Sequence, residues 1–234
     1  MKQSIPCTGR YMTSFKPHLE ILPAPQLMLW DELHQTPEHF TLYGGTALAL
    51  HLGHRDSVDF DFFSNQPFDV GALVQAIPYL ADAKMQEVAK NSLTCRVDRG
   101  GAVKMQFLGG LLIGRVEPRQ QPIGSGIWVA SLLDVAASKM KVIPIRSEQK
   151  DYVDVHALLE HGFDLPTMLA VAKLVYGPSF NPVLSLKALS YFGDVPDLPE
   201  NMQKRLSQAA ASVDITKLPI IKSYEAAHAK GYLP

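Results

Sequence analysis

Residues 42–63 read LYGGTALALHLGHRDSVDFDFF. A short apolar strand over 40–43 is broken by Gly44 and Gly45. Thr46 is placed to cap a short apolar helix over 47–52, which Gly53 ends. A strand over 58–63 then alternates acidic and aromatic positions. Residues two apart on a strand point to the same side, so Asp59 and Asp61 share one face while Phe60 and Phe62 turn to the core. Two carboxylates that close repel one another, and a partly buried pair needs a cation or a basic group to compensate. Mg²⁺ is held by one or two carboxylates together with substrate phosphates, which makes the pair a candidate metal site.

Asp-x-Asp alone is equally compatible with solvated positions on a half-exposed strand. The glycine turn changes the reading. Two glycines between a strand and a helix let backbone N–H groups approach a phosphate closely, with the helix dipole favouring the anion. Thirteen residues lie between Gly45 and Asp59, so both features belong to one compact strand–turn–helix–strand unit.

That unit resembles the DNA-polymerase-β-like nucleotidyltransferase superfamily, and its wording is similar to the AbiEii/AbiGii toxin branch. A second block supports the resemblance: Lys139, Arg146, Lys150, Asp151 and Asp154 stand as K-x6-R-x3-KD-x2-D. The resemblance extends from about Met12 through the later stretch FNPVLSLKALSYF. It implies an α+β fold, with a nucleotidyltransferase-like mixed β-sheet and flanking helices followed by a helical half. It further implies Mg²⁺ on Asp59 and Asp61 as catalytic carboxylates, and a triphosphate cradled by Gly44, Gly45 and Thr46. The implied reaction moves a nucleotidyl group from an NTP to an RNA (tRNA-like) or protein acceptor. Relatives often act as bacterial toxins paired with a separate antitoxin protein.

The sequence departs from that pattern on a later strand. The superfamily usually places a third carboxylate there, and in AVKMQFL, residues 102–108, the corresponding position is Gln106. An amide can offer one oxygen to a metal but cannot accept a proton as a general base, a role worth roughly 10²–10⁴ in rate. Asp98 falls in a hairpin turn, away from the pair. The alternative to an active enzyme is a catalytically impaired nucleotide- or protein-binding module on the same fold.

Other candidates are local. Arg55 and His54 lie in the loop before the acidic strand; Arg55 suits bidentate phosphate contact or simple compensation of the two aspartates. Ser57 reads as a loop hydroxyl. Lys139 is a candidate for the triphosphate, with a surface position on an amphipathic helix as the plain alternative; Arg146 is a weaker candidate of the same kind. Lys150 and Asp154 sit four apart on one helix and read as a pair, with Asp151 as a local cap or salt bridge. His156 and His161 have no acidic partner at ligand spacing.

The whole chain frames these readings. It has 234 residues, 47% hydrophobic and 19% charged, with a formal net charge of −1. That is enough for a real core and offers no global basic field for nucleic acid. Cys7 and Cys95 make no disulfide framework and point to reduced thiols in a cytoplasmic protein. No run of about 18 apolar residues is present, so no membrane association is expected. Residues 1–11 read as a leader without a signal-peptide core, and Met12 is a possible start. The remaining pattern predicts helices over 25–34 and 70–80, the second capped by Asp69. Strands follow over 84–89, 92–97 and 102–108, the last two joined by the turn Asp98-Arg99-Gly100-Gly101. Residues 111–127 read as a connection with room for one edge strand. Ser131 and Ser147 are placed to cap two helices, and Pro166, Pro182 and Pro199 to open three more. The expected division is an α/β core over 12–128 and a helical domain over 129–234.

Overall fold

The computed structural model describes residues 14–224. The leader, Met12 and Cys7 lie outside them. Five strands form one mixed sheet: β2 (Thr41–Tyr43), β3 (Asp59–Phe63), β4 (Lys84–Ala89), β5 (Ser92–Asp98) and β6 (Ala102–Leu108). Their spatial order is β2-β3-β6-β5-β4, with β3 and β6 parallel and every other pair antiparallel. A separate two-stranded ribbon pairs β1 (Ser14–Phe15) in parallel with β7 (Gln121–Pro122), which is the edge strand foreseen in the 111–127 connection.

Strand alternation sorts the sheet into two chemically distinct faces. Leu42, Phe60, Phe62, Leu93, Cys95, Val97, Val103, Met105 and Phe107 are all buried on one. The register Phe62↔Phe107 and Leu93↔Phe107 puts these side chains in one row across the strands. Thr41, Tyr43, Asp59, Asp61, Phe63, Lys104 and Gln106 occupy the other.

The helices are α1 (Ala24–Trp30), α2 (Gly44–Leu52), α3 (Val70–Ala76), α4 (Leu132–Val142), α5 (Gln149–Glu160), α6 (Leu165–Tyr176), α7 (Pro182–Ala188) and α8 (Glu200–Ala211). Asp69 and Ser131 cap α3 and α4 as expected, accepting from Ala72 N and Asp134 N. Pro166 and Pro182 sit in the first turns of α6 and α7, and Pro199 immediately precedes α8. The α2 helix rests on β2 and β3 and touches α4 and α5, so it joins the sheet to the helical half. One buried hydrophobic cluster runs through both.

Four local expectations are corrected. The helix over 25–34 is α1 plus a separate 3₁₀ turn, Leu33–Gln35. The helix over 70–80 stops at Ala76, because Pro78 cannot continue it and instead starts a 3₁₀ turn. Glu148, not Ser147, is the residue before α5; the Ser147 hydroxyl donates to Asp194 instead. Finally, α2 begins at Gly44, with Tyr43 in the cap position. Thr46 is therefore inside the first turn, and its hydroxyl is bonded to Ser57 Oγ at 2.7 Å and to the Asp59 carbonyl.

Phe107 tests the apolar face without touching the polar one: it stacks on Phe62 at 5.3 Å and meets Phe40 edge-on at 5.3 Å. Phe107→Ala is expected to lower unfolding free energy by about 3–5 kcal/mol in urea denaturation. A loss below about 1 kcal/mol would mean that this row does not hold the sheet to its covering layer.

Candidate active site

The polar face of β3 meets the N-terminus of α2. Gly44 adopts φ +73°, and a Cβ built there would lie 2.5 Å from Asp61 Oδ2. Backbone therefore presses against a carboxylate where any side chain would intrude. A Cβ on Gly45 would collide with Arg55 Nη2. The first helical N–H groups of Gly44, Gly45 and Thr46 belong to the unsatisfied end of a helix, next to the acidic pair on one side and a guanidinium on the other.

Asp61 is largely buried, and burial together with the neighbouring Asp59 charge raises its carboxyl above the ordinary value. Lys104, Lys139 and Arg146 act in the opposite direction. The parallel register sets Asp59 beside Lys104 and Asp61 beside Gln106. Lys104 Nζ lies 3.9 Å from Asp59 Oδ2. Among the described residues no group of three or more His, Cys, Asp or Glu side chains could hold a metal. Two carboxylates with an open anion cradle beside them nonetheless suit Mg²⁺, which completes its shell with waters and phosphate oxygens.

Behind the cradle stands an ion cluster centred on Asp154, whose side chain has 0% exposure. Arg55 donates to it through Nε at 2.7 Å and Nη2 at 2.9 Å, and His54 through Nε2 at 2.7 Å. Lys139 Nζ lies 2.6 Å from Asp154 and 2.9 Å from Asp151, with only 3% of its side chain exposed. Arg146 reaches Asp151 through Nε at 2.9 Å and Nη2 at 3.2 Å. Burial alone would raise the Asp154 carboxyl. Hydrogen bonds from His54 and Arg55 and the charges of Lys139 and Arg55 outweigh it and hold the group well below the usual carboxylate range.

The expected Lys150–Asp154 pair is absent, because Lys150 pairs with Glu148 at 2.8 Å. Asp151 and Asp154, three apart on α5, instead face α4 together. Sequence reasoning also passed over Lys104; its signal was the period-two alternation that places it on the same face as Gln106. The structure thus gathers Asp59, Asp61, Gly44 and Gly45 at one spot with Arg55 over the turn. Thr46 lies just beneath with a committed hydroxyl, and Lys139 is held inside the cluster.

Asp154→Asn leaves His54 and Arg55 without their buried counter-charge and Lys139 with Asp151 alone. The expected cost at neutral pH is about 3–5 kcal/mol in chemical denaturation. A carboxyl lowered on folding contributes stability above its unfolded pKa, and that contribution is lost as pH falls through the folded one. The gap between wild type and variant should hold down to pH 3.8, the ordinary value, and narrow below it. A gap independent of pH across the acid range would assign the loss to packing rather than charge.

The chain is similar to known proteins over most of its length. The sequence profile described as "Nucleotidyl transferase AbiEii toxin, Type IV TA system" matches residues 28–219. An uncharacterized protein of Aquifex aeolicus is 32% identical over 158 residues, covering 66% of this chain and 74% of its own. The fold is similar to MenT4, a nucleotidyltransferase toxin from Mycobacterium tuberculosis H37Rv. Its TM-score is 0.56 at 17% identity, over 82% of this chain and 83% of that one. A protein from H. pylori classed as a nucleotidyltransferase has a TM-score of 0.50 at 20% identity, over 80% of this chain and 90% of that one. The chain thus belongs to the AbiEii nucleotidyl transferase toxin family.

Proposed function

We propose that this chain transfers a nucleotidyl group from an NTP to an acceptor hydroxyl on a tRNA-like RNA or on a protein. The observation that carries the reading is the contact of Gly44 with Asp61, which sets an anion cradle directly against the acidic pair. The N–H groups of Gly44, Gly45 and Thr46 receive the β- and γ-phosphates. Arg55, fixed by Asp154, faces the same anion. Lys139 adds positive charge from inside the cluster, which favours departure of pyrophosphate. Asp59 and Asp61 would hold Mg²⁺, which when bound supplies Lewis-acid polarisation of the phosphate. The acceptor oxygen bonds to the α-phosphorus, the bond from that phosphorus to the bridging oxygen breaks, and pyrophosphate leaves. The acceptor proton passes to solvent.

The family description supports a toxin paired with an antitoxin. The site of action on this reading is the bacterial cytoplasm; no helix among the described residues is long and apolar enough to cross a membrane. A second reading, an impaired nucleotide- or protein-binding module, is favoured by one observation. Gln106 lies beside Asp61 and Lys104 beside Asp59, so β6 presents no carboxylate to the pair.

Incubation with each α-³²P-labelled NTP, Mg²⁺ and total cellular RNA or protein tests the first reading. A labelled band that disappears in Asp59→Asn supports it; label that persists in Asp59→Asn and Asp61→Asn removes the assigned site. Gln106→Asp is expected to raise turnover about tenfold or more if a missing base limits the rate. Unchanged turnover would count against that explanation.

A further inference from the structure

The polar face of the sheet does not end at Asp61. Register places Tyr43 opposite Asp61 and Thr41 opposite Phe63, all on the side that carries the acidic pair. Tyr43 and Phe63 stack with ring centroids 5.0 Å apart. Beyond Asp61 these residues form the floor of a cavity of about 150 Å³. Gln66 stands at its rim, and Arg115 and Arg119 enter from the connection that follows β6. The Arg119 guanidinium lies 4.5 Å over the Trp128 ring and donates to the Glu38 carbonyl at 2.7 Å, so it is held in place.

Resting on the reading above, we propose that this cavity is a nucleobase subsite, receiving the base of the nucleotide whose phosphate sits at Asp59 and Asp61. Three features argue for that occupant. First, two residues along a strand advance about 7 Å, so Phe63 lies one nucleotide's reach from Asp61. Second, an aromatic floor with guanidinium and amide groups at the rim is the combination that stacks a base and reads its edge. Third, the cavity has room for one planar ring system, and Thr41, Tyr43 and Phe63, which line it, lie on the sheet face that carries the acidic pair. The nucleotide has two possible sources, the donor NTP and the acceptor's terminal residue, which share this chemistry.

Equilibrium binding separates them. The probes are each NTP with Mg²⁺, by calorimetry, and a short 5′-fluorescent single-stranded oligoribonucleotide, by anisotropy. The variants are Phe63→Leu with Gln66→Ala, and Gln66→Ala alone, whose exposed position keeps the test valid if the double variant folds poorly. A loss of about tenfold or more for the NTP alone assigns the subsite to the donor, and a loss for the oligonucleotide alone assigns it to the acceptor. A loss for both also supports the subsite. Unchanged affinity for both probes overturns this inference while leaving the proposed function standing, provided Asp59→Asn with Asp61→Asn abolishes Mg²⁺-dependent NTP binding. Retention of that binding in the aspartate variant, or failure of the wild type to bind either probe, overturns the two together.

Discussion

A carboxylate with no exposure cannot stand alone, and the arrangement of this site depends on how Asp154 is satisfied. Its partners come from two separated segments, His54 and Arg55 from the loop after α2 and Lys139 from α4, while the carboxylate itself is on α5. The net gain of such a cluster over a packed apolar core is small, since desolvation consumes most of the attraction. What it supplies is position. Arg55 is locked by two hydrogen bonds to one carboxylate, and Nη2, one of the two bonded nitrogens, also lies against Gly45. The loop between α2 and β3 is thereby drawn onto the helical half, and the mouth of the cradle is set by an ion pair rather than by loop packing.

The second constraint is the repulsion between Asp59 and Asp61. Strand pleat forces both onto one face, and the demands of the core at Phe60 and Phe62 prevent either from turning away. The raised Asp61 carboxyl records the cost. Lys104, Lys139 and Arg146 offset it only in part, so the site retains a demand for positive charge that a divalent ion beside phosphate oxygens would meet.

Most of the sheet was legible in the sequence because its strands alternate cleanly and their turns carry strong signals. The 102–108 strand was read to its ends, and Gly100 in the preceding hairpin takes the positive φ its turn requires. Helix ends were read less well at α5, where Glu148 takes the cap position with no side-chain cap bond and Ser147 donates to Asp194. Thr46 shows the limit of local reasoning. A hydroxyl after a Gly-Gly turn suggests a cap, yet the helix starts earlier and the hydroxyl is drawn to Ser57 and the Asp59 carbonyl across the motif. The same limit hid the role of Asp154. An i,i+4 rule pairs it with Lys150, whereas its partners lie some hundred residues away for His54 and Arg55, a separation no local rule reaches.

The strand β6 separates two properties that are often treated as one. On the proposed reading, binding a nucleotide rests on the glycine turn, the acidic pair and nearby cations, which belong to residues 44–61 and to the cluster around Asp154. Removing a proton from an acceptor would be faster with a basic group beside the pair, and the two β6 positions that face it are Lys104 and Gln106. A third carboxylate at 106 would add negative charge next to an Asp61 already raised by burial and by Asp59. This chain places a cation and an amide there instead. On the proposed reading, this arrangement would ease the electrostatic strain of the site at the expense of proton transfer, so affinity and turnover need not rise or fall together. Fold membership therefore does not set the rate; that depends on what the acceptor brings with it and on how readily its hydroxyl loses a proton to water.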